Sequence, residues 1–144
     1  MDKVKVYTDG ACLGNPGPGG WAWAVSRELF DAGGEKDTTN QRMELTAALK
    51  AMERFKENKL LVVSDSQYLV RCFNDGWWKN WIRNSWRNSQ RQPVKNQDIW
   101  MPLIDLYLNS KPDSIKFEWV KGHSGVDMNE YVDMLATSKA KSVL

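Results

Sequence analysis

Two short apolar runs in this chain end in the same way. "KVKVYTD" (residues 3 to 9) and "KLLVVSD" (59 to 65) each close on an aspartate. Between them lies "TTNQRMELTAALKAMERFKEN" (38 to 58), with Leu45, Ala48, Leu49, Met52 and Phe55 at helical spacing and a Thr/Asn-rich entry suited to an N-cap. A strand reached from another through a long helix is set parallel to it. Parallel neighbours lie about 5 Å apart. The pattern therefore predicts that Asp9 and Asp65 emerge side by side at the carboxyl end of one sheet, where open α/β sheets place their ligands.

The remaining segments must fit around that pair. "GACLGNPGPGG" after Asp9 reads as a turn, and "WAWAVSREL" (21 to 29) alternates large and small residues as an antiparallel return strand. Gly33-Gly34 reads as a further reversal toward a third strand. After Asp65, "SQYLVRCF" returns to helical spacing, and Asp75-Gly76 breaks the chain before a tryptophan-rich helix whose reach Pro93 ends. "IWMPLIDLYLNS" gives another helix, "SIKFEWVKGH" (114 to 123) a last strand, and "DMNEYVDMLATSKAK" a closing helix. The expected order is βββαβα(α)αβα, an α/β sandwich with a mixed sheet.

Length and composition set outer bounds. The 144 residues, 42% hydrophobic and 26% charged, suit one domain spanning 1 to 144. No apolar run approaches the roughly 18 to 20 residues of a membrane span, so no membrane association is expected. Two cysteines, Cys12 and Cys72, and no signal-like segment suggest the reducing cytoplasm. Formal net charge is only +2. Attraction to an anionic partner must come from local clustering.

Two further acids share the setting of Asp9 and Asp65. Glu44 is placed in the first turn of the long helix, on the stripe of 44, 48, 51 and 55, and Asp133 lies on the inward side of the last helix. Taken singly, such residues are commonly dipole-compensating or turn acids. Converging carboxylates would repel one another and take up protons unless a divalent cation neutralised them. Oxygen ligands favour Mg²⁺, with Mn²⁺ as a substitute, and one or two ions can activate water against a phosphodiester. Zinc fits poorly, with one histidine and two widely separated cysteines. That histidine, His123, lies in the Gly-flanked loop "KGHSGVDMNE" and could accept or relay a proton, or assist product release.

"GWWKNWIRNSWRNSQRQPVKN" (76 to 96) holds four of the eight tryptophans and no acid. Lys79, Arg83, Arg87, Arg91 and Lys95 recur every fourth residue. On a continuous helix at about 100° per residue, Trp77, Trp78, Trp81, Ile82 and Trp86 fall on one half, and Lys79, Arg83 and Arg87 on a neighbouring quarter. The expectation is a packed tryptophan face beside a basic stripe able to hold phosphates.

"YTDGACLGNPGPGG", "TTNQRMELTAALKA", "SDSQYLV", "QPVKNQDIW" and "EWVKGHSGVDMNEYVDMLA" resemble, in order and spacing, the ribonuclease H family of type 1, bacterial-like. The resemblance runs through nearly the whole chain. It implies a ribonuclease H-like fold: a five-stranded mixed sheet, strands one to three antiparallel, four and five parallel to the first, flanked by helices and carrying a basic helix-loop protrusion. It also implies an Mg²⁺-dependent endonuclease that cuts the RNA strand of an RNA/DNA hybrid, leaving 5′-phosphate and 3′-hydroxyl ends. Asp9, Glu44, Asp65 and Asp133 would be metal ligands and His123 a mobile auxiliary. Cys12, Gly14, Asn15 and Gln67 would lie near the RNA strand, where 2′-hydroxyls distinguish RNA. Thr39 and Asn40 match a pocket for a DNA-strand phosphate, and Gln41 stands where the family often has a groove-reading Asn. Trp77, Lys79, Asn80, Trp81, Arg83, Arg87 and Lys95 belong to the basic protrusion.

Two other classes set the contrast. A non-catalytic nucleic-acid module explains the tryptophans and basic residues but leaves four acids and His123 idle. A junction resolvase or integrase explains the acids but not "TTNQRMEL" together with the basic helix. A monomer without an obligate protein partner is expected.

Overall fold

The computed structural model describes residues 3–144. The chain runs β1 (Lys3–Cys12), β2 (Gly17–Ala24), β3 (Phe30–Thr38), α1 (Asn40–Arg54), β4 (Lys59–Ser64), α2 (Gln67–Asn74), α3 (Trp77–Arg83), α4 (Gln97–Asn109), β5 (Ile115–Trp119) and α5 (Asp127–Ser142). One sheet of order β3-β2-β1-β4-β5 results. β1 to β3 pair antiparallel and β4 runs parallel to both β1 and β5. The expected mixed sheet is present, with β1 at its centre.

The β-branched runs form the middle of the sheet because both their faces are covered. Val6, Val62 and Val63 are completely buried, and full burial of such a side chain stabilises by about 1.5–3 kcal/mol. On one face α1, α2 and α4 enclose the larger core, where Trp100, Leu45, Leu69 and Leu103 have no exposure. On the other face α5 lies against Ala22 and Ala24 through Val132 and Ala136. Close approach there depends on small residues: a Cβ at Gly20 would collide with the main chain at Ala136. No helix among the described residues is long and apolar enough to cross a membrane.

Four boundaries differ from the sequence reading. β1 does not stop at Asp9: the parallel ladder ends at Thr8–Ser64, while the antiparallel ladder continues to Cys12–Gly19. The reversal before β3 falls at Val25–Leu29, where the Ser26 hydroxyl accepts the N–H groups of Glu28 and Leu29. Gly33 and Gly34 sit inside β3 instead. Gly33 is the register partner of Trp21, and a Cβ there would come within 2.7 Å of the indole ring, so this glycine makes room for an aromatic rather than for a turn.

The tryptophan-rich helix is also shorter than its periodicity suggests. α3 ends at Arg83, and Ser85 and Trp86 adopt positive φ of 55° and 61°. Asn84-Ser85 interrupts it, as short polar side chains disfavour helix interiors. Trp86 and Arg87 thus leave the helical stripe. The fourth difference concerns β5, which ends at Trp119 although the Val120 N–H still reaches the Ser64 carbonyl at 3.0 Å.

Candidate metal centre and nucleic-acid surface

Sheet register brings the first two acids together. Thr8 pairs with Ser64 in the last step of the parallel ladder, so Asp9 and Asp65 leave that end as neighbours. Asp9 stays in the antiparallel ladder opposite Ala22 and is only 4% exposed, whereas Asp65 lies past the end of β4 and is half-buried. One carboxyl oxygen of each lies within 4.8 Å of the other, and Asp9 partly offsets the rise that burial imposes on Asp65. Gly10 N–H also donates to Asp9 Oδ1 at 2.9 Å.

Glu44 arrives because Gly10 has no side chain. A Cβ at Gly10 would collide with the main chain of Met43 and Glu44. α1 can therefore press directly onto β1. Glu44 is the fifth residue of a helix beginning at Asn40, with Thr39 as N-cap accepting the Arg42 N–H at 3.2 Å. It lies beyond the expected first turn, so compensation of the helix dipole does not account for it. One ligand oxygen from each of Asp9, Glu44 and Asp65 falls within 4.8 Å of the others.

The electrostatics follow from that crowding. Burial, then the charge of Asp65, pushes the Asp9 carboxyl well above the usual range, and Asp133 and Glu44 add to the shift. Burial and Asp65 raise Glu44 to about 8, against a hydrogen bond from Ser66. Asp65 is raised mainly by burial, while hydrogen bonds from Asp9 and Asn129 oppose the rise. No lysine or arginine among the described residues forms an ion pair with the three. Hard oxygen donors that hold protons for want of positive charge suit a divalent cation.

Asp133 stands apart from this trio. It projects from α5, half-buried, close enough for its charge to raise Asp9 and Asp65 but outside the tight oxygen cluster. His123 is exposed, on the loop between β5 and α5, with φ of 54°. It is near enough for its charge to favour ionised Asp65.

The other predicted contact residues form two groups. In the first, Cys12 is half-buried and its thiol points at the Gly17 and Thr38 carbonyls, 3.4 and 3.5 Å away. Gly14, exposed, has φ of 90°. Asn15 Oδ1 accepts the Asn40 N–H at 3.0 Å, joining the β1–β2 loop to the start of α1, where Thr39, Asn40 and Gln41 lie. Gln67 is the exposed first residue of α2, capped by Ser66.

The second group is the protrusion. Trp77 and Trp81 are half-buried: Trp77 lies 6.3 Å from the Tyr68 ring and Trp81 5.3 Å from Trp100. Lys79, Asn80, Arg83, Arg87 and Lys95 are exposed. Beyond α3 the chain folds back on itself. Arg87 bridges to Pro93, Asn88 Oδ1 accepts the Gln90 and Gln92 N–H groups, and Val94 is buried. The packed tryptophans and basic edge are both present, but a loop rather than a helix carries Trp86 and Arg87.

Sequence reasoning missed Gly10, Ser66 and Asn129. Asn129 is 2% exposed and its Oδ1 is buried without a partner. Its signal was a polar residue in the inward stripe 129, 132, 136, 140. Ser66 had the signature of an N-cap only, and Gly10 was absorbed into the expected turn.

A mixed sheet whose central strand carries a buried acid, joined by acids from the adjacent strand and a crossing helix, presents a carboxylate cluster able to hold a divalent cation. The sequence model of the RNase H family matches residues 1–141, and the chain belongs to that family of endoribonucleases. It is 45% identical over 148 residues to "Ribonuclease H" of Syntrophomonas wolfei, covering 99% of each chain. Among solved structures, LC9-RNase H1, described as a type 1 RNase H with the type 2 active-site motif, superposes with a TM-score of 0.80. It is 25% identical, with 100% of this chain and 74% of that one covered. The foamy viral protease-reverse transcriptase in complex with RNA/DNA hybrid gives 0.82 at 25% identity, covering 97% of this chain and 20% of that one.

Proposed function

We propose that this chain, as one catalytic domain over residues 1 to 144, hydrolyses the RNA strand of RNA/DNA hybrids with Mg²⁺, leaving 5′-phosphate and 3′-hydroxyl ends. The observation that carries this reading is the oxygen cluster of Asp9, Glu44 and Asp65 within 4.8 Å, on a fold belonging to the ribonuclease H family. Support for the substrate comes from the foamy viral relative, whose structure contains an RNA/DNA hybrid.

Asp9, Glu44 and Asp65 would hold the ion, with Asp133 from the side of α5. A divalent cation supplies, when bound, positive charge against the developing charge on the scissile phosphate and lowers the pKa of water. Asp9, fixed in the central strand, sets the position of the cluster; Asp9 and Glu44, the carboxyls raised furthest, would give up their protons as the charge is neutralised. His123, exposed on its loop, moves a proton between the reacting oxygens and solvent. Cys12, Gly14, Asn15 and Gln67 face the RNA strand, and Thr39, Asn40 and Gln41 the DNA strand. Trp77, Lys79, Asn80, Trp81, Arg83, Arg87 and Lys95 hold the DNA strand further along. Free thiols at Cys12 and Cys72 accord with a reducing cytoplasm, and we take the working form to be a monomer, with Mn²⁺ able to replace Mg²⁺.

The test uses labelled RNA/DNA, RNA/RNA and DNA/DNA duplexes with Mg²⁺. Cutting restricted to the RNA of the hybrid is expected, with loss in Asp9→Asn and Asp65→Asn. Cleavage of DNA/DNA, or undiminished hybrid cleavage by both variants, overturns the reading.

A further inference from the structure

A second charged surface lies at the opposite end of the sheet from the acids. Lys3 and Lys5 of β1, Lys59 of β4 and Lys116 of β5 are all exposed. Register puts them on one face: Lys3 pairs with Lys59, and Lys5 and Lys116 both pair with Leu61. Side chains at i and i+2 share a face, so all four lysines lie on one side of the sheet, Lys3, Lys59 and Lys116 around one cavity and the Lys5 ammonium 5.4 Å from the Tyr7 ring centroid. A cavity of about 210 Å³ opens there, lined by Lys3, Lys59 and Lys116 with Asp113 and Ser114. No ion pair among the described residues engages any of the four lysines.

Two physical arguments separate this cluster from ordinary solvated charge. Like charges directly opposite one another in a sheet destabilise it, and Lys3 and Lys59 are such a pair. Lysines do serve edge strands by blocking aggregation, which accounts for Lys116 on β5. It does not account for Lys3, Lys5 and Lys59, which lie on interior strands of the order β3-β2-β1-β4-β5. An anion with repeated charges would relieve the repulsion.

We infer that this lysine face is a second, sequence-independent contact for the phosphodiester backbone of duplex nucleic acid, separate from the metal centre and the tryptophan protrusion. Lys3 lies six residues along β1 from Asp9, about 20 Å at 3.3 Å per residue. The contact therefore engages duplex outside the segment being cut. It goes beyond the proposed hydrolysis and does not need that hydrolysis to occur, since lysines neutralise phosphates whatever the chemistry at the other end. It gives a chain of this size a tether to the nucleic acid flanking its reaction site.

The experiment compares Lys3→Gln/Lys59→Gln/Lys116→Gln with a charge-matched control, Lys36→Gln/Lys50→Gln/Lys141→Gln, in the Asp9→Asn background. Binding to a DNA duplex of about four helical turns and to a hybrid of about one turn, roughly 10 bp, is followed by fluorescence anisotropy across a salt series. For the long duplex, the triple variant should lower affinity and flatten the log affinity against log salt slope by about 2 to 3, at about 0.9 per phosphate contact. The control should keep its slope. Cleavage of the one-turn hybrid should be unchanged when Asp9 is restored. An unchanged slope, an equal loss in the control, or a parallel loss of one-turn cleavage overturns the inference. So does loss of oligoglutamate binding with duplex binding intact, which would assign the face to an acidic peptide. Thermal melts should show the triple variant at least as stable as the parent, because a like-charge pair has been removed.

Discussion

The acid cluster and the tryptophan protrusion are built on opposite plans. Asp9 sits in the central strand with neighbours on both sides, and its partners are fixed by ladder register and by a main chain that passes where Gly10 has no side chain. The protrusion stands at the surface, no residue of α3 is fully buried, and its rings touch at centroid distances of 5.3 to 6.4 Å. The cluster tolerates little displacement because its chemistry depends on oxygen spacing. In the function proposed above the protrusion would work by summed charge, so no single residue in it should be decisive. Substitutions should therefore act in a steep, all-or-none way at the first site and in a graded, salt-dependent way at the second.

The largest effect is expected for Asp9→Asn. Removing this charge while preserving shape should lower kcat for hybrid cleavage by at least about 10³-fold, the scale of losing a transition-state charge-stabilising element, with KM little changed. A loss under tenfold in steady-state kinetics would place the chemistry elsewhere. Gly10→Ala comes next. The added methyl cannot be accommodated without moving α1 from β1, so urea unfolding should show a loss of about 2–3 kcal/mol, with Glu44 displaced and activity falling with it. An unaltered midpoint would mean that the helix-strand contact is not as tight as described.

The pH dependence sharpens the same contrast. Glu44 titrates near 4.5 unperturbed and near 8 when folded. The folded state thus binds the extra proton, and its contribution to stability is full below about 4.5 and lost as pH rises through about 8. In chelator, the melting temperature should fall between pH 5 and 8 relative to Glu44→Gln, and added Mg²⁺ should remove most of the fall. Parallel curves with and without Mg²⁺ would show that the acids are not the source. The smallest effect is expected from Arg83→Ala plus Arg87→Ala. Hybrid affinity should drop by a few-fold, with a salt slope lower by about 2 and kcat at saturation retained.

Much of the cluster was legible because it rests on short-range rules. Two β-branched runs separated by a helix-length segment are set parallel, and their last residues meet; Asp9 and Asp65 needed no further information. Glu44 and Asp133 were legible as inward positions on helices, and the Thr/Asn-rich entry as an N-cap, which the structure assigns to Thr39. The unread parts depend on contacts between distant segments. Gly10 and Gly33 look like turn residues until the helix and the indole that cross them are known. Asn129 looks like a helix-start polar residue until Asp65 is placed beside it. The basic stripe was read correctly as a periodic set but on the wrong scaffold, since Asn84-Ser85 breaks a helix that the tryptophan spacing alone would continue.

The order of the strands also distributes resistance to local opening. β1 is hydrogen-bonded along both edges as far as Thr8 and to β2 alone at Asp9, whereas β5 is bonded on one side and leads directly into the His123 loop. Amide exchange tracks such differences, being slowest where opening requires global unfolding and faster at sheet margins. The buried acid thus sits on the strand that opens last, and the histidine follows one that opens early. In the proposed function, the spacing of the acids would then survive fluctuations at the margin that admit solvent beside the His123 loop.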